Sequence, residues 1–422
     1  MRVLSTQLRA RCATLLATLT LSLLVSVGAR AQTVEVLHNF GVTAGDGNDP
    51  SGGLIKDAAG NFYGTTGSGG AHNVGTVYRL SPKSGGGWKD TILYSFKGGA
   101  SDGSYPTGLL LRDSAGNLYG TTAQGGLQSA QCTDFENSSV GCGIAYKLTP
   151  STTGEWIETV LHRFTGRTDG GNPLGGLVRD IAGNLYGTAG FGGAGGSGTV
   201  FKLSHTSTGW SETVLHSFAG SADGINPGAP LVFDSLGNLY GATYNGGADG
   251  WGIVYRLSPQ TNGAWKEQIL HTFKGGLDGA QPFFNGGVTL DKSGNVYGST
   301  ISGGTSKYYG TVFKLDTANG YANTILHNFS LTDEVVGFPN GGLIFDTEGN
   351  LWGTTEYGVF KLTPGSSGWS ETVLWGLNEF PSTDGVGIFA PVMMDAQGNL
   401  GTTIWGGTAG DTTGGVAFKL IP

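Results

Sequence analysis

Between Ile157 and Trp210 the chain reads IETVLHRFTGRTDGGNPLGGLVRDIAGNLYGTAGFGGAGGSGTVFKLSHTSTGW, and four short apolar runs (TVLHRF, GLVRD, NLYGT, GTVFKL) are parted by clusters of Gly, Asn, Asp and Ser. Runs of that length, two of them rich in β-branched residues, predict strands rather than helices. One unit is a four-stranded antiparallel meander, and it recurs seven times. A small sheet with two apolar faces has nothing of its own to bury them against, so the copies must stack on one another.

Four columns repeat. The first begins TVEVLHNF at Thr33 and continues as DTILYSF, ETVLHRF, ETVLHSF, EQILHTF, NTILHNF and ETVLWGL. The second ends each time in an aspartate (Asp57, Asp113, Asp180, Asp234, Asp291, Asp346, Asp395), with two residues between it and a Gly-Asn pair. Glycine supplies the positive φ of a hairpin and the carboxylate bonds the backbone two residues on, which is turn chemistry rather than acid catalysis. The third is NFYGTT, NLYGTT, NLYGTA, NLYGAT, NVYGST, NLWGTT and, with the aromatic read as deleted, NLGTT. Glycine weakens a strand unless something must come close, so Gly64, Gly120, Gly187, Gly241, Gly298, Gly353 and Gly401 are expected to admit a side chain of the adjacent sheet. The fourth column (GTVYRL, GIAYKL, GTVFKL, GIVYRL, GTVFKL, GVFKL, GVAFKL) carries a core aromatic. Its basic residue (Arg79, Lys147, Lys202, Arg256, Lys314, Lys361, Lys419) is expected to pair across the hairpin with the acid that opens most first columns, such as Glu158 or Glu212.

The phase of the repeat is offset, because the mature chain opens on a lone first-column strand, 33–40, and ends just after a fourth-column strand, Gly415 to Leu420. An open stack would leave both as bare edges. Pairing them closes a ring, so the expected fold is all-β: a seven-bladed β-propeller of four-stranded antiparallel blades, with 33–40 as the outer strand of the last blade. The units run about 41–96, 97–164, 165–218, 219–273, 274–329, 330–377 and 378–422, within one domain at 32–422.

Composition agrees: glycine is 79 of 422 residues without the G-X-Y period of collagen, and 38% hydrophobic content is too high for disorder. Residues 1–31 stand apart. Arg2, Arg9 and Arg11 precede the run ATLLATLTLSLLVSVG, and Ala29-Arg30-Ala31 offers a small-x-small cleavage site, which predicts a signal peptide rather than a bilayer span. The mature protein is expected in the periplasm or outside the cell, with no membrane insertion after cleavage. Losing the four arginines of that segment takes 23 basic residues to 19 against 31 acidic, a net charge of −12 that argues against nucleic acid as a partner. Cys132 and Cys142 remain and, in an oxidising compartment, are expected to form one disulfide.

The units GNLYGTT..GG...GTVFKL and GWSETVLHSF..DG resemble the GloVer (Gloeo-Verruco) tandem-repeat family of exported bacterial proteins, over about Val34 to Leu420. The resemblance implies no established activity and no catalytic residues. Members can carry a C-terminal sorting segment; this chain ends at Phe418-Lys419-Leu420-Ile421-Pro422, and anchoring is not expected of it.

Strand parity places the DGxxP loops (at Asp46, Asp102, Asp169, Asp223 and Asp278) and the TTxxGG loops on one face, which also carries the cysteine insertion and is taken as the functional face. His38, His162, His216, His271 and His327 share one column and are spread round the ring, so they read as hydrogen-bonded packing residues rather than a converging metal or nucleophile site. Trp88, Trp156, Trp210, Trp265 and Trp369 read as sheet-edge covers. The paired acids Asp46 and Asp49 are explained by a turn, and no metal or cofactor is expected. Nor is there a nucleophile with a visible base, so no catalytic residue is assigned. What breaks the symmetry is the aromatic content of the loops: Phe191, Tyr244, Trp251, Phe283, Phe284, Tyr308, Tyr309, Phe338 and Trp405, with acids Asp134, Glu136, Asp333 and Glu334 nearby. Tyr244, Trp251, Tyr308, Tyr309 and Trp405 are the candidate ligand-binding residues, for a glycan or an extracellular protein. Lys56, Arg112 and Arg179, just before the second-column aspartates, are read as salt-bridging neighbouring blades. The expected function is a monomeric binding scaffold. A propeller hydrolase or lyase at the central channel mouth and a passive surface component are the alternatives.

Overall fold

A computed structural model describes residues 33–421 apart from 51, 130, 133–139, 307, 331–336, 377–386 and 406–413. The signal-peptide segment and the loop acids Asp134, Glu136, Asp333 and Glu334 lie outside the described residues. Seven antiparallel sheets form a ring, each running outward from a short inner strand, as in blade 1 from Ile55–Lys56 through Phe62–Thr66 and Thr76–Pro82 to Trp88–Ser95. The last blade is closed by the start of the chain: Thr33–Asn39 lies antiparallel on Gly415–Ile421, with Val34 opposite Leu420 and Glu35 opposite Lys419. The expected seven-bladed propeller and its closure are both present.

The apolar core sits between the blades, as two-faced sheets require. Seven clusters of buried side chains each draw on two neighbouring blades, and the one across the closure unites Leu37, Phe40 and Ala417 with Leu54, Phe62, Tyr78 and Leu80. Trp265 packs on Tyr186 and Trp369 on Tyr297, each on the preceding blade, so this tryptophan column covers an inter-blade seam.

The second-column aspartates are turn residues. Asp57 Oδ1 accepts from the backbone N–H of Ala59 and Asn61, and its Oδ2 accepts from Asn61 Nδ2 and Tyr63 Oη. The same pattern holds in blades 2 to 5, whereas in blade 6 Trp352 Nε1 takes the tyrosine's place and in blade 7 Asp395 keeps the backbone and asparagine bonds without a ring donor. Burial pushes these carboxyls up, but the donated hydrogen bonds outweigh it and leave them below the usual aspartate value.

Three expectations need correction. First, a Cβ on Gly64 would collide with Tyr78 Oη, and on Gly120 with Tyr146, residues directly across the same sheet. The glycine therefore admits the aromatic of its own blade's next strand, not one of the adjacent sheet. Second, the last blade has no deletion. Asp395 and Asn399 keep the spacing of Asp346 and Asn350, and the register sets Gly401 opposite Lys419 where Trp352 stands opposite Lys361. Gly401 replaces the aromatic, and Thr402 takes the place of Gly353. Third, the register counted from the hairpin turn sets Glu158 opposite Leu148 and Thr159 opposite Lys147, so Glu158 does not pair with Lys147. Lys147, Lys202, Lys314 and Lys361 instead lie over the third-column rings at 5.1–6.0 Å. Lys419 meets Glu35 at 3.4 Å, one position along from the expected acid.

Candidate functional site

The third-column threonines fix the axis of the ring. Thr121, Thr188, Thr354 and Thr403 each donate to a backbone carbonyl of the next blade's innermost segment: Gly175, Ala229, Ala390 and Pro50 respectively. These inner segments follow the DGxxP loops and are built of small residues, since a Cβ on Gly108 or Gly175 would stand about 3.0 Å from its neighbour's backbone. In the P-x-x-x-L pattern of Pro106 to Leu110, Pro173 to Leu177, Pro227 to Leu231 and Pro339 to Leu343, four steps carry the chain into the inner strand. Blade 5 takes six, from Pro282 to Val288, and the two added residues are Phe283 and Phe284.

That insertion fills one end of the axial channel with aromatics. A cavity of about 220 Å³ is lined by Tyr105, Thr107, Leu174, Phe283, Phe284, Asn285 and Phe389, from blades 2, 3, 5 and 7, which can meet only at the axis. Asn285 Nδ2 donates to Phe389 O at 2.9 Å, reaching past blade 6. Phe283 and Phe389 face each other at 6.4 Å between ring centres. Tyr105, held at φ 57° just before Pro106, presents its ring at the rim against Gly67. Among the residues lining the cavity Tyr105 alone titrates, and burial followed by the nearby Asp49 raises its hydroxyl pKa.

The proposed loop face is the face of this mouth. Gly47–Asn48 pairs with Ser68–Gly69, and bridges join Gly171 to Phe191, Ile225 to Asn245 and Ala280 to Ser302, so each DGxxP loop is tied to its TTxxGG loop. Of the candidate residues, Tyr244 stacks on Phe284 at 4.7 Å and 25°, backing the mouth. Trp251 (43% exposed) and Tyr308 (64% exposed) stand out on the rim and do not line the cavity. Tyr309 is half-buried against Phe338 at 5.6 Å. Trp405 ends the strand Leu400–Trp405, at the position that Tyr244 holds in blade 4 and Glu356 in blade 6. Glu356 carries no aromatic signal and escaped the sequence reading. Its Cγ and Phe389 Cε2 lie 2.8 and 3.0 Å from where a side chain on Gly387 would begin, and burial raises its carboxyl pKa. Phe389 and Tyr105 were missed too, for they sit in loops whose convergence depends on ring closure. The lengthened spacing after Pro282 was the one local clue.

Away from the axis, the histidine column forms clasps between blades. His38, His162 and His271 lie 3.1 Å from Asp46, Asp169 and Asp278 of the following loops, and each ring meets a phenylalanine edge-on. In blade 1 Tyr94 Oη takes that place, 3.0 Å from Asp102 and 3.1 Å from Glu158 of blade 2. Burial, then the neighbouring Asp102, pushes the Glu158 carboxyl well above the usual range; burial pushes Glu212 up to about 7. The basic residues before the aspartates have distinct partners. Lys56 Nζ reaches Asp395 at 2.8 Å across the closure, whereas Arg112 lies 5.8 Å over the Tyr63 ring. Cys132 and Cys142 are bonded and buried, packed on Gly166 of the loop leading to blade 3.

The family model of the Gloeobacter/Verrucomicrobia repeat matches residues 22–136 and 131–361. No curated protein matches the chain. Among solved structures, the extracellular domain of a putative one-component system from B. thetaiotaomicron is similar at 11% identity and TM-score 0.54, over 91% of this chain and 40% of that one. An ancestral GH74 enzyme is similar at 12% identity and TM-score 0.57, over 89% of this chain and 48% of that one. A putative 6-phosphogluconolactonase from Bacteroides uniformis is similar at 14% identity and TM-score 0.50, over 87% and 99%. The chain thus spans less than half of the first two. At such identities the likeness is one of fold.

Proposed function

The chain belongs to the Gloeobacter/Verrucomicrobia repeat family, and from that premise we propose that it is an exported propeller that binds a small uncharged ligand in the aromatic mouth of its axial channel. The observation that carries this reading is the two-residue insertion of Phe283 and Phe284, which breaks the repeat at the one place where all blades converge. A cavity of about 220 Å³ suits a single ring, and its walls suit the apolar face of a sugar, with Tyr105, Thr107 and Asn285 able to bond its edges. Trp251, Tyr308 and Tyr309 on the same face are assigned to a longer glycan or a protein partner continuing outward, while the side chain of Trp405 lies outside the described residues. Export is supported by the N-terminal segment and by the buried disulfide.

A hydrolase or lyase at the same mouth is the second reading, favoured by Glu356, a carboxyl raised by burial and close to Phe389. The test is a thermal-shift screen of neutral mono- and oligosaccharides and other uncharged ring compounds, followed by calorimetric titration of each hit. Binding is expected to fall at least tenfold in Phe284→Ala, and Glu356→Gln is expected to leave it measurable. Saturable binding that Phe284→Ala leaves intact would refute the axial site. Turnover of a hit abolished by Glu356→Gln would favour the enzyme.

A further inference from the structure

We propose that His216, Asp223 and Glu267 bind one divalent transition-metal ion of the zinc class, joining blade 3 to blade 4. The three come from the outer strand Gly209–Ser217, the following loop and the outer strand Trp265–Thr272. One ligand atom from each lies within 4.8 Å of the others. His216 Nε2 is 3.5 Å from Asp223 Oδ2 and 3.7 Å from Glu267 Oε1. Those separations are too long for good hydrogen bonds. The first falls within, and the second just beyond, the roughly 3.3–3.6 Å edge of a tetrahedron with metal–ligand bonds of about 2.0–2.2 Å.

His216 Nε2 and Glu267 Oε1 are buried from solvent, and beyond the loose approach of Asp223 neither has a hydrogen-bond partner among the described residues. The repeat supplies its own controls. At the equivalent positions His162–Asp169 and His271–Asp278 close to 3.1 Å, His271 meets Asn323 where His216 meets Glu267, and His327 stands 3.5 Å from Glu371 in a pair that forms no group of three ligands among the described residues. The His38, Asp46 and Asp90 group is also compact, but there His38 hydrogen-bonds Asp46 at 3.1 Å. Among the described residues no Lys or Arg pairs with Asp223 or Glu267, so two carboxyl groups face one imidazole without a compensating cation. Asp223 Oδ2 is oriented by the Ala219 N–H at 2.7 Å. One nitrogen and two oxygens suit zinc, whereas calcium takes six to eight oxygens. The side chains are 14–25% exposed, which leaves a path for the ion and a fourth position for water.

The experiment uses the untagged chain, stripped with a chelator and titrated with Zn²⁺ by calorimetry, with Co²⁺ absorption as a second readout. Saturable binding at one equivalent is expected, with the visible absorption of tetrahedral cobalt and a melting temperature that rises with added zinc. His216→Ala and Glu267→Gln are each expected to weaken binding at least tenfold, and His162→Ala to leave it unchanged. A second equivalent that survives His216→Ala would add the His38 group and leave this site standing. No saturation at millimolar zinc overturns the proposal, as does binding that tracks His162 or ignores both His216→Ala and Glu267→Gln.

Discussion

Tyr78, Tyr146 and Tyr255 are fully buried, and their hydroxyls have no hydrogen-bond partner among the described residues. A hydroxyl desolvated without a partner costs about 1–3 kcal/mol, and the four other blades place Phe201, Phe313, Phe360 and Phe418 at this position. Tyr146→Phe is therefore expected to raise the urea midpoint, and a drop would show an unseen partner. Glu212 works through its proton: its folded pKa of about 7 exceeds its ordinary 4.5, with His162 and Asp169 facing it. The folded state keeps a proton that the unfolded chain releases, so this contribution is lost as pH rises from about 4.5 to about 7. The turn aspartates act oppositely, being depressed, and their contribution is lost as pH falls below their ordinary 3.8. Stability should peak in mild acid, and Glu212→Gln should flatten the decline between about pH 4.5 and 7 in denaturant melts at about half-unit steps. The D-x-x-G-N turn was legible because it is local chemistry. The fate of Tyr63 Oη and Glu158 was not, because each depends on how neighbouring strands are registered against one another.

At the scale of the blade, alternation and turn signals were enough to read four strands, but not which neighbour each side chain meets. The glycine column illustrates this: a close approach was legible at Gly64, while its owner, Tyr78, follows only from pairing across the sheet. Reading NLGTT as a deletion hid a substitution with a consequence. Gly401 leaves Asp395 without the ring donor its counterparts have, and Lys56 of the neighbouring blade supplies it, holding that carboxyl at about 2. Removing one partner from such a charged bond costs on the order of 2 kcal/mol. Lys56→Met should lower the urea midpoint by that equivalent, and Asp395→Asn should narrow the difference in a double-mutant cycle. Additive effects would contradict the seam.

For the whole molecule, the offset phase of the repeat was the decisive clue to closure, and the pairing of Thr33–Asn39 with Gly415–Ile421 follows from it. Deleting residues 33–39 should strip the last blade of its outer strand and sharply lower the melting temperature. Adding the deleted strand back as a peptide should recover part of it. The candidate site was less legible, because aromatics were counted by loop whereas the mouth brings residues together by distance from the axis. Tyr244 is held there through Phe284, while Trp251 remains on the rim. The most direct measurement is a crystal structure of the chain with the tightest ligand from the screen. Density between Phe283 and Phe389 at the axis is the predicted result; ligand seated on Trp251 and Tyr308 with the axial cavity empty would contradict it.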